Sequence, residues 1–170
     1  MKRKKKLNKV NIIIGVIVFL LVIIDQITKG LIMQHKEIIL IPDVITLKIN
    51  QITNNGYEET SKAISILTNL TILFVVFGIL KSDNQFVTNK TKILLSFAFG
   101  GGVSNFIDKI LRGNIVEFIN IKNLPSFNIA DIAILIGWVS FVAIFTVFSS
   151  EELFNKKKEK KKDNQFLKNL

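Results

Sequence analysis

The chain has 170 residues, 49% of them hydrophobic, and 23 Lys and Arg against 13 Asp and Glu, a formal net charge of +10. A mean hydropathy of +0.41 beside that charge excess is the composition of a membrane protein whose apolar and basic residues are separated along the chain, and one domain is expected. No Cys and a single His exclude a disulfide framework and thiolate chemistry and leave little room for a His-based metal site or a Ser-His triad. Catalysis, if present, falls to carboxylates, Lys, Asn or hydroxyls, and no cofactor is expected.

Residues 1–9 form a basic tail with six Lys and Arg. The first apolar run, Val10–Ile24, continues into a more polar stretch through Met33 that extends the same helix. No small-x-small cleavage site follows it, so it reads as a retained anchor rather than a removed signal peptide. Further apolar segments cover 63–80, 93–108 and 129–148. A spanning helix needs about 20 mostly apolar residues. The second and fourth segments meet that length, whereas the first and third do so only if the ends carrying Asp25 and Asp108 enter the membrane. The predicted fold is an all-α membrane protein of four transmembrane helices, spans about 10–33, 63–80, 93–108 and 129–148. Residues 10–148 form the membrane domain and 149–170 a frayed Lys-rich tail.

Sixteen of the 23 basic residues lie in 1–9, 81–92 and 149–170, which puts both termini in the cytoplasm by the positive-inside rule. Segments 34–62 and 109–128 then face outward. In the first, Ile38–Ile41 and Val44–Ile49, broken by Pro42-Asp43, predict a hairpin in a small extracytoplasmic β-rich platform. The second lies across the mouth of the bundle. The basic tails suit anionic headgroups, and membrane lipids are expected partners. Nucleic acid is not, because aromatic residues do not interleave the Lys runs.

Eight acidic residues fall outside the cytoplasmic segments, and Asp25, Asp108 and Asp131 mark the outer ends of spans one, three and four. A carboxylate at bilayer depth costs about 2.5–3.5 kcal/mol, which makes each a functional candidate. Each also has a structural explanation. Asp25 and Lys29, at i and i+4, could form a helix-surface ion pair. Asn105 and Asp108 share a face, with Lys109 and Arg112 snorkelling outward, while Gly100–Gly102 admits a close neighbouring helix. Asn128 and Asp131 have the spacing of an N-cap and its reciprocal partner. Glu117, taken alone, reads as a loop carboxylate, and Glu37, Glu58 and Glu59 as surface charge. Two shielded carboxylates sharing a proton suit hydrolysis, one as general base toward water and the other as general acid toward a scissile carbonyl.

Five motifs in order resemble the lipoprotein signal peptidases (signal peptidase II). Asp25-Gln26-x-x-Lys29 is similar to the family's DQxxK. Ile41-Pro42 with Ile49-x-x-Ile52-x-Asn54-x-Gly56 is similar to IPG…LxxVxNxG. Gly101-Gly102-x-x-Asn105-x-x-Asp108-Lys109 is similar to GGxxGNxxDR, and Ile115–Ile119 to VVDFI. Phe127-Asn128-Ile129-Ala130-Asp131 is an intact FNxAD. The resemblance implies a membrane aspartyl endopeptidase that removes the signal peptide of prolipoproteins just before the diacylglyceryl-modified Cys, with Glu117 and Asp131 as its catalytic pair. Asp25, Lys29, Asn54, Gly56, Asn105, Asp108, Lys109, Asn128 and Ala130 would line or brace the site.

The chain departs from the family pattern at several places. Glu117 replaces Asp, adding a methylene where about 1 Å of misplacement can cost on the order of 100-fold in rate. Lys109 replaces Arg, Ser104 replaces Gly, and Tyr57-Glu58-Glu59 follows NxG. The implied partners are lipid-modified prolipoprotein signal peptides, and a monomer is expected. Two other readings stand beside this one: a relative that binds lipidated peptides without cutting them, and a small ion-coupled membrane transport protein.

Overall fold

A computed structural model describes residues 9–35, 37–49, 58–82 and 87–168. Four long helices carry the fold: α1 (Lys9–Ile32), α2 (Glu58–Lys81), α3 (Asn89–Leu111) and α4 (Ile129–Lys168). Large apolar side chains such as Phe19, Phe74 and Val139 lie exposed on α1, α2 and α4, as expected of helices whose solvent is hydrocarbon. Among the described residues, α1, α3 and the Ile129–Glu151 part of α4 are long and apolar enough to cross a membrane, whereas α2 contributes a shorter apolar stretch, Ile66–Lys81. Three candidate spans thus meet the length and composition requirement among the described residues. The shortfall lies in the first turns of α2, which carry Glu58, Glu59, Thr60, Ser61 and Lys62.

The expectation of a frayed tail over 149–170 is corrected by α4, which runs unbroken to Lys168. Its 40 residues reach about 60 Å at 1.5 Å per residue, roughly twice the hydrocarbon thickness. No Pro or Gly follows Gly137, and Lys and Glu are good helix formers.

α3 is the central helix and packs against the other three. Its glycines are the reason it can. A Cβ on Gly100 would lie 3.2 Å from the Val18 Cα of α1, one on Gly101 2.3 Å from the Ala130 carbonyl oxygen of α4, and one on Gly102 2.9 Å from Leu73 of α2. Three consecutive residues, turned about 100° apart, so seat three different helices. Gly137 of α4 answers with a backbone approach of its own, its Cβ position being 2.5 Å from the Ala98 nitrogen. Such small-residue contacts are how helices associate where no hydrophobic effect drives them. Replacing Gly101 with Ala must push the start of α4 off α3. A loss of about 1–3 kcal/mol in unfolding stability is expected, with activity falling in parallel. A thermal unfolding curve in detergent, superimposable on that of the parent, would contradict this.

The apolar core cluster of Val76, Leu80, Leu95 and Ala98 packs where α2 ends and α3 begins. The opposite end of the bundle carries a three-stranded antiparallel sheet of β1 (Ile38–Ile41), β2 (Ile45–Leu47) and β3 (Ile119–Ile121), in that order. The predicted hairpin is present, with Ile38 opposite Leu47 and Ile41 opposite Ile45 around Pro42-Asp43-Val44. Asp43 takes φ 57°, a left-handed conformation that Asp tolerates better than most residues. β3 was not expected. It pairs Ile119 with Leu47 and Ile121 with Ile45, joining the segment before α4 to the hairpin after α1.

Candidate active site

Asp25 and Lys29 lie one turn apart on α1 and are both fully buried. The ion pair expected from their spacing forms at 2.5 Å, but it faces the bundle interior rather than the helix surface. Lys29 Nζ also lies 2.6 Å from Asp108 Oδ2 on α3. Asp25 Oδ2 accepts from the Ser104 hydroxyl at 2.7 Å, and Asp25 Oδ1 from the Ala130 backbone N–H at 3.0 Å. One carboxylate thereby ties α1 to α3 and to the first turn of α4.

Asp108 is the second hub. Its Oδ1 pairs with the Arg112 guanidinium and accepts from Gln26 Nε2 at 2.9 Å. Its Oδ2 accepts from the Val116 N–H at 3.1 Å. Arg112 donates also to Gln26 Oε1 at 2.8 Å. Two buried carboxylates are thus matched by two cations, Lys29 and Arg112, and the cluster is formally neutral. This matters because an unpaired charge in such a place costs several kcal/mol. Arg112 does not snorkel outward, the structural alternative for this helix face: its i, i+4 spacing from Asp108 turns it inward, with 26% of its side chain exposed. Lys109, expected beside Asp108 as the replacement for the family's Arg, is half-buried.

From this cluster the polar contacts run to Asp131. Asn105 Oδ1 accepts from Lys29 Nζ at 3.2 Å and from Asn128 Nδ2 at 3.1 Å. Because an ammonium can only donate, Lys29 fixes which way the Asn105 amide faces. Its Nδ2 is then left to donate to Asp131 Oδ1, at 2.7 Å. The predicted capping pair is present at the start of α4: the Asp131 N–H donates to Asn128 Oδ1 at 2.8 Å, and the Asn128 N–H to Asp131 Oδ2 at 3.0 Å. Cap and site are the same residues.

Glu117 is brought to this place by its neighbours' backbone. Val116 donates its N–H to Asp108 and accepts at its carbonyl from Asn128 Nδ2 at 3.1 Å. Phe118, 2% exposed, anchors the other side, and its N–H meets the Phe127 carbonyl at 3.1 Å. Glu117 Oε2 accepts from the Ser126 hydroxyl at 2.8 Å. Glu117 and Asp131, both half-buried, therefore stand on two segments that Asn128 ties together. Two carboxylates held by neutral donors at the edge of a shielded polar cluster can exchange protons with a water and a carbonyl group.

Of the expected site residues, Asp25, Lys29, Asn105, Asp108, Asn128, Ala130 and Asp131 join one hydrogen-bonded network, and Glu117 is joined through Val116. Asn54 and Gly56 lie outside the described residues. Gln26, Ser104, Arg112 and Ser126 were not expected as site residues. Gln26 and Arg112 carried a signal in their helical spacing from Lys29 and Asp108, whereas Ser126 carried none, because its contact arises across the chain.

The family model described as signal peptidase (SPase) II matches residues 17–148 of this chain. The lipoprotein signal peptidase of Halalkalibacterium halodurans is 32% identical over 139 residues, covering 72% of this chain and 84% of that protein. That of Chlorobium phaeobacteroides is 37% identical over 141 residues, covering 69% and 80%. Two solved structures, both described as a bacterial membrane enzyme obtained by the in meso method, share the fold. The 2.3 Å one superimposes with a TM-score of 0.66 at 25% identity over 82% of this chain and 90% of that one. The 1.9 Å one gives 0.64 at 27% identity over 77% and 90%.

Proposed function

Because this chain belongs to the signal peptidase II family, we propose that it is a membrane aspartyl endopeptidase that removes signal peptides from diacylglyceryl-modified prolipoproteins, cutting just before the lipid-modified Cys. The observation that carries this reading is the tie that Asn128 makes between Asp131 and Val116, the residue before Glu117, beside a buried cluster whose charges cancel. One carboxylate takes a proton from a water molecule as its oxygen attacks the scissile carbonyl carbon. The other, protonated, gives its proton to the carbonyl oxygen. Collapse of the tetrahedral intermediate breaks the C–N bond, and a carboxyl proton returns to the leaving amine. Asn105 and Asn128 keep Asp131 oriented; Asp25, Lys29, Asp108 and Arg112 hold α1, α3 and α4 at the spacing this requires. Lys109, Asn54 and Gly56 belong to the supporting set, with Asn54 contributing an amide to the substrate backbone.

The protein acts as a monomer in the bacterial cytoplasmic membrane. Four spans within 10–148 leave both termini cytoplasmic, and the polar cluster lies near the outer face with the sheet above it. The apolar part of the signal peptide lies between the spans, within reach of membrane lipid. Positive charge at 1–9, 81–92 and 149–170 supports this orientation.

Glu117→Asp tests the pairing directly. It keeps the carboxylate and removes the added methylene, so cleavage of a diacylglyceryl-modified prolipoprotein peptide is expected to be retained or raised. Loss of cleavage in a folded Glu117→Asp protein would show that the reacting geometry is not built around this residue.

A further inference from the structure

We infer that Ser126 is the positioning residue that fits Glu117 to the reaction, an inference that rests on the reading of Glu117 as one of the two reacting carboxylates. Glu has one more rotatable bond than Asp, and its carboxylate, if unheld, samples several positions relative to Asp131. The Ser126 hydroxyl removes that freedom at 2.8 Å from Oε2. A carboxylate oxygen only accepts, so the hydroxyl is the donor. Among the described residues no hydrogen bond reaches the other oxygen, Oε1, which leaves it to meet a water or a carbonyl group.

The surrounding backbone makes this a rigid clamp. Residues 117–119 and 126–127 run antiparallel, with Ile119 and Phe127 bridged. The Phe118 and Ile119 N–H groups both reach the Phe127 carbonyl, at 3.1 and 2.8 Å, and the Phe127 N–H returns to the Ile119 carbonyl at 3.1 Å. Glu117 and Ser126 therefore flank this bridge, one on each of the two facing segments, and their side-chain hydrogen bond crosses it diagonally. Pro125 precedes Ser126 and fixes its own φ, and Asn123, at φ 67°, turns the chain back toward the site. The clamp thus hangs on the segment that continues into the Asn128–Asp131 cap, so both carboxylates are indexed to one stretch of chain.

The test is a double-mutant cycle on the full-length protein in detergent, with a diacylglyceryl-modified prolipoprotein peptide as substrate. Ser126→Ala is expected to lower kcat about tenfold with KM within about twofold, because positioning of a reacting group is lost while the peptide's binding surface stays. Ser126→Thr, which keeps the hydroxyl, should restore most of kcat. In a Glu117→Asp background, where the shorter side chain no longer reaches residue 126, the Ser126→Ala penalty should shrink to about twofold or less. An unchanged kcat in Ser126→Ala, or an equal penalty in both backgrounds, overturns the inference. Parent protein that cleaves, and loses cleavage on Asp131→Asn, while Ser126→Ala matches the parent, removes this inference and leaves the proposed function intact. Folded parent protein that binds the peptide without cleaving it removes both.

Discussion

Replacing Asp131 with Asn is expected to lower peptide cleavage by about 100- to 10,000-fold, the range lost when a positioned general acid or base is removed. The substitution is close to isosteric, and its structural cost is limited by the contacts Asp131 makes. Its two oxygens accept from the Asn105 amide and from the Asn128 N–H, and its own N–H donation to Asn128 does not depend on the side chain. An amide at 131 retains one of the two acceptors and turns its NH2 toward the other donor, a mismatch worth about 1–2 kcal/mol. The variant should therefore fold, insert in membranes and bind peptide while failing to cut. Cleavage within about threefold of the parent would remove Asp131 from the chemistry.

Replacing Lys29 with Met should have the largest effect on stability. The ammonium stands between Asp25 at 2.5 Å and Asp108 at 2.6 Å, with all three side chains fully buried. Met fills the volume but leaves two carboxylates facing each other with Arg112 as their nearest counter-charge, and breaking such a buried pair costs about 3–5 kcal/mol. Asn105 also loses the donor that fixes its amide, so Asp131 loses its orienting contact and activity falls with stability. Substituting Asp25 as well, by Asn, should recover part of the loss, because it removes the charge that Lys29 had balanced. Unfolding measured in detergent decides this: a Lys29→Met variant within about 1 kcal/mol of the parent would mean that the cluster is not held together by its charges.

The parts of the site that were legible in the sequence are those whose geometry is local. Asp25 with Lys29, Asn105 with Asp108, and Asn128 with Asp131 are set by the three- and four-residue spacing of one helix face, and each pair shares a network in the structure. The direction of Arg112 was not legible by the same rule, because the choice between facing lipid headgroups and facing Asp108 depends on where α1 places Gln26. β3 and the Ser126–Glu117 contact depend on pairing between distant segments, and three residues of strand carry too little pattern to declare themselves. The glycine run predicted a close helix neighbour, and the fold gives it three. The polar first turns of α2 and the helical tail beyond Phe148 were not legible for a common reason. Apolar runs locate where a helix meets lipid, whereas helix ends are set by propensity and caps, which continue into polar residues.

The most direct measurement is mass spectrometry of a synthetic diacylglyceryl-modified prolipoprotein peptide after incubation with the purified full-length protein, with Asp131→Asn alongside. A single cut immediately before the modified Cys is expected, present with the parent and absent with the variant. An intact peptide, bound by a folded parent protein, would contradict it and identify the chain as a lipopeptide-binding relative that does not cut.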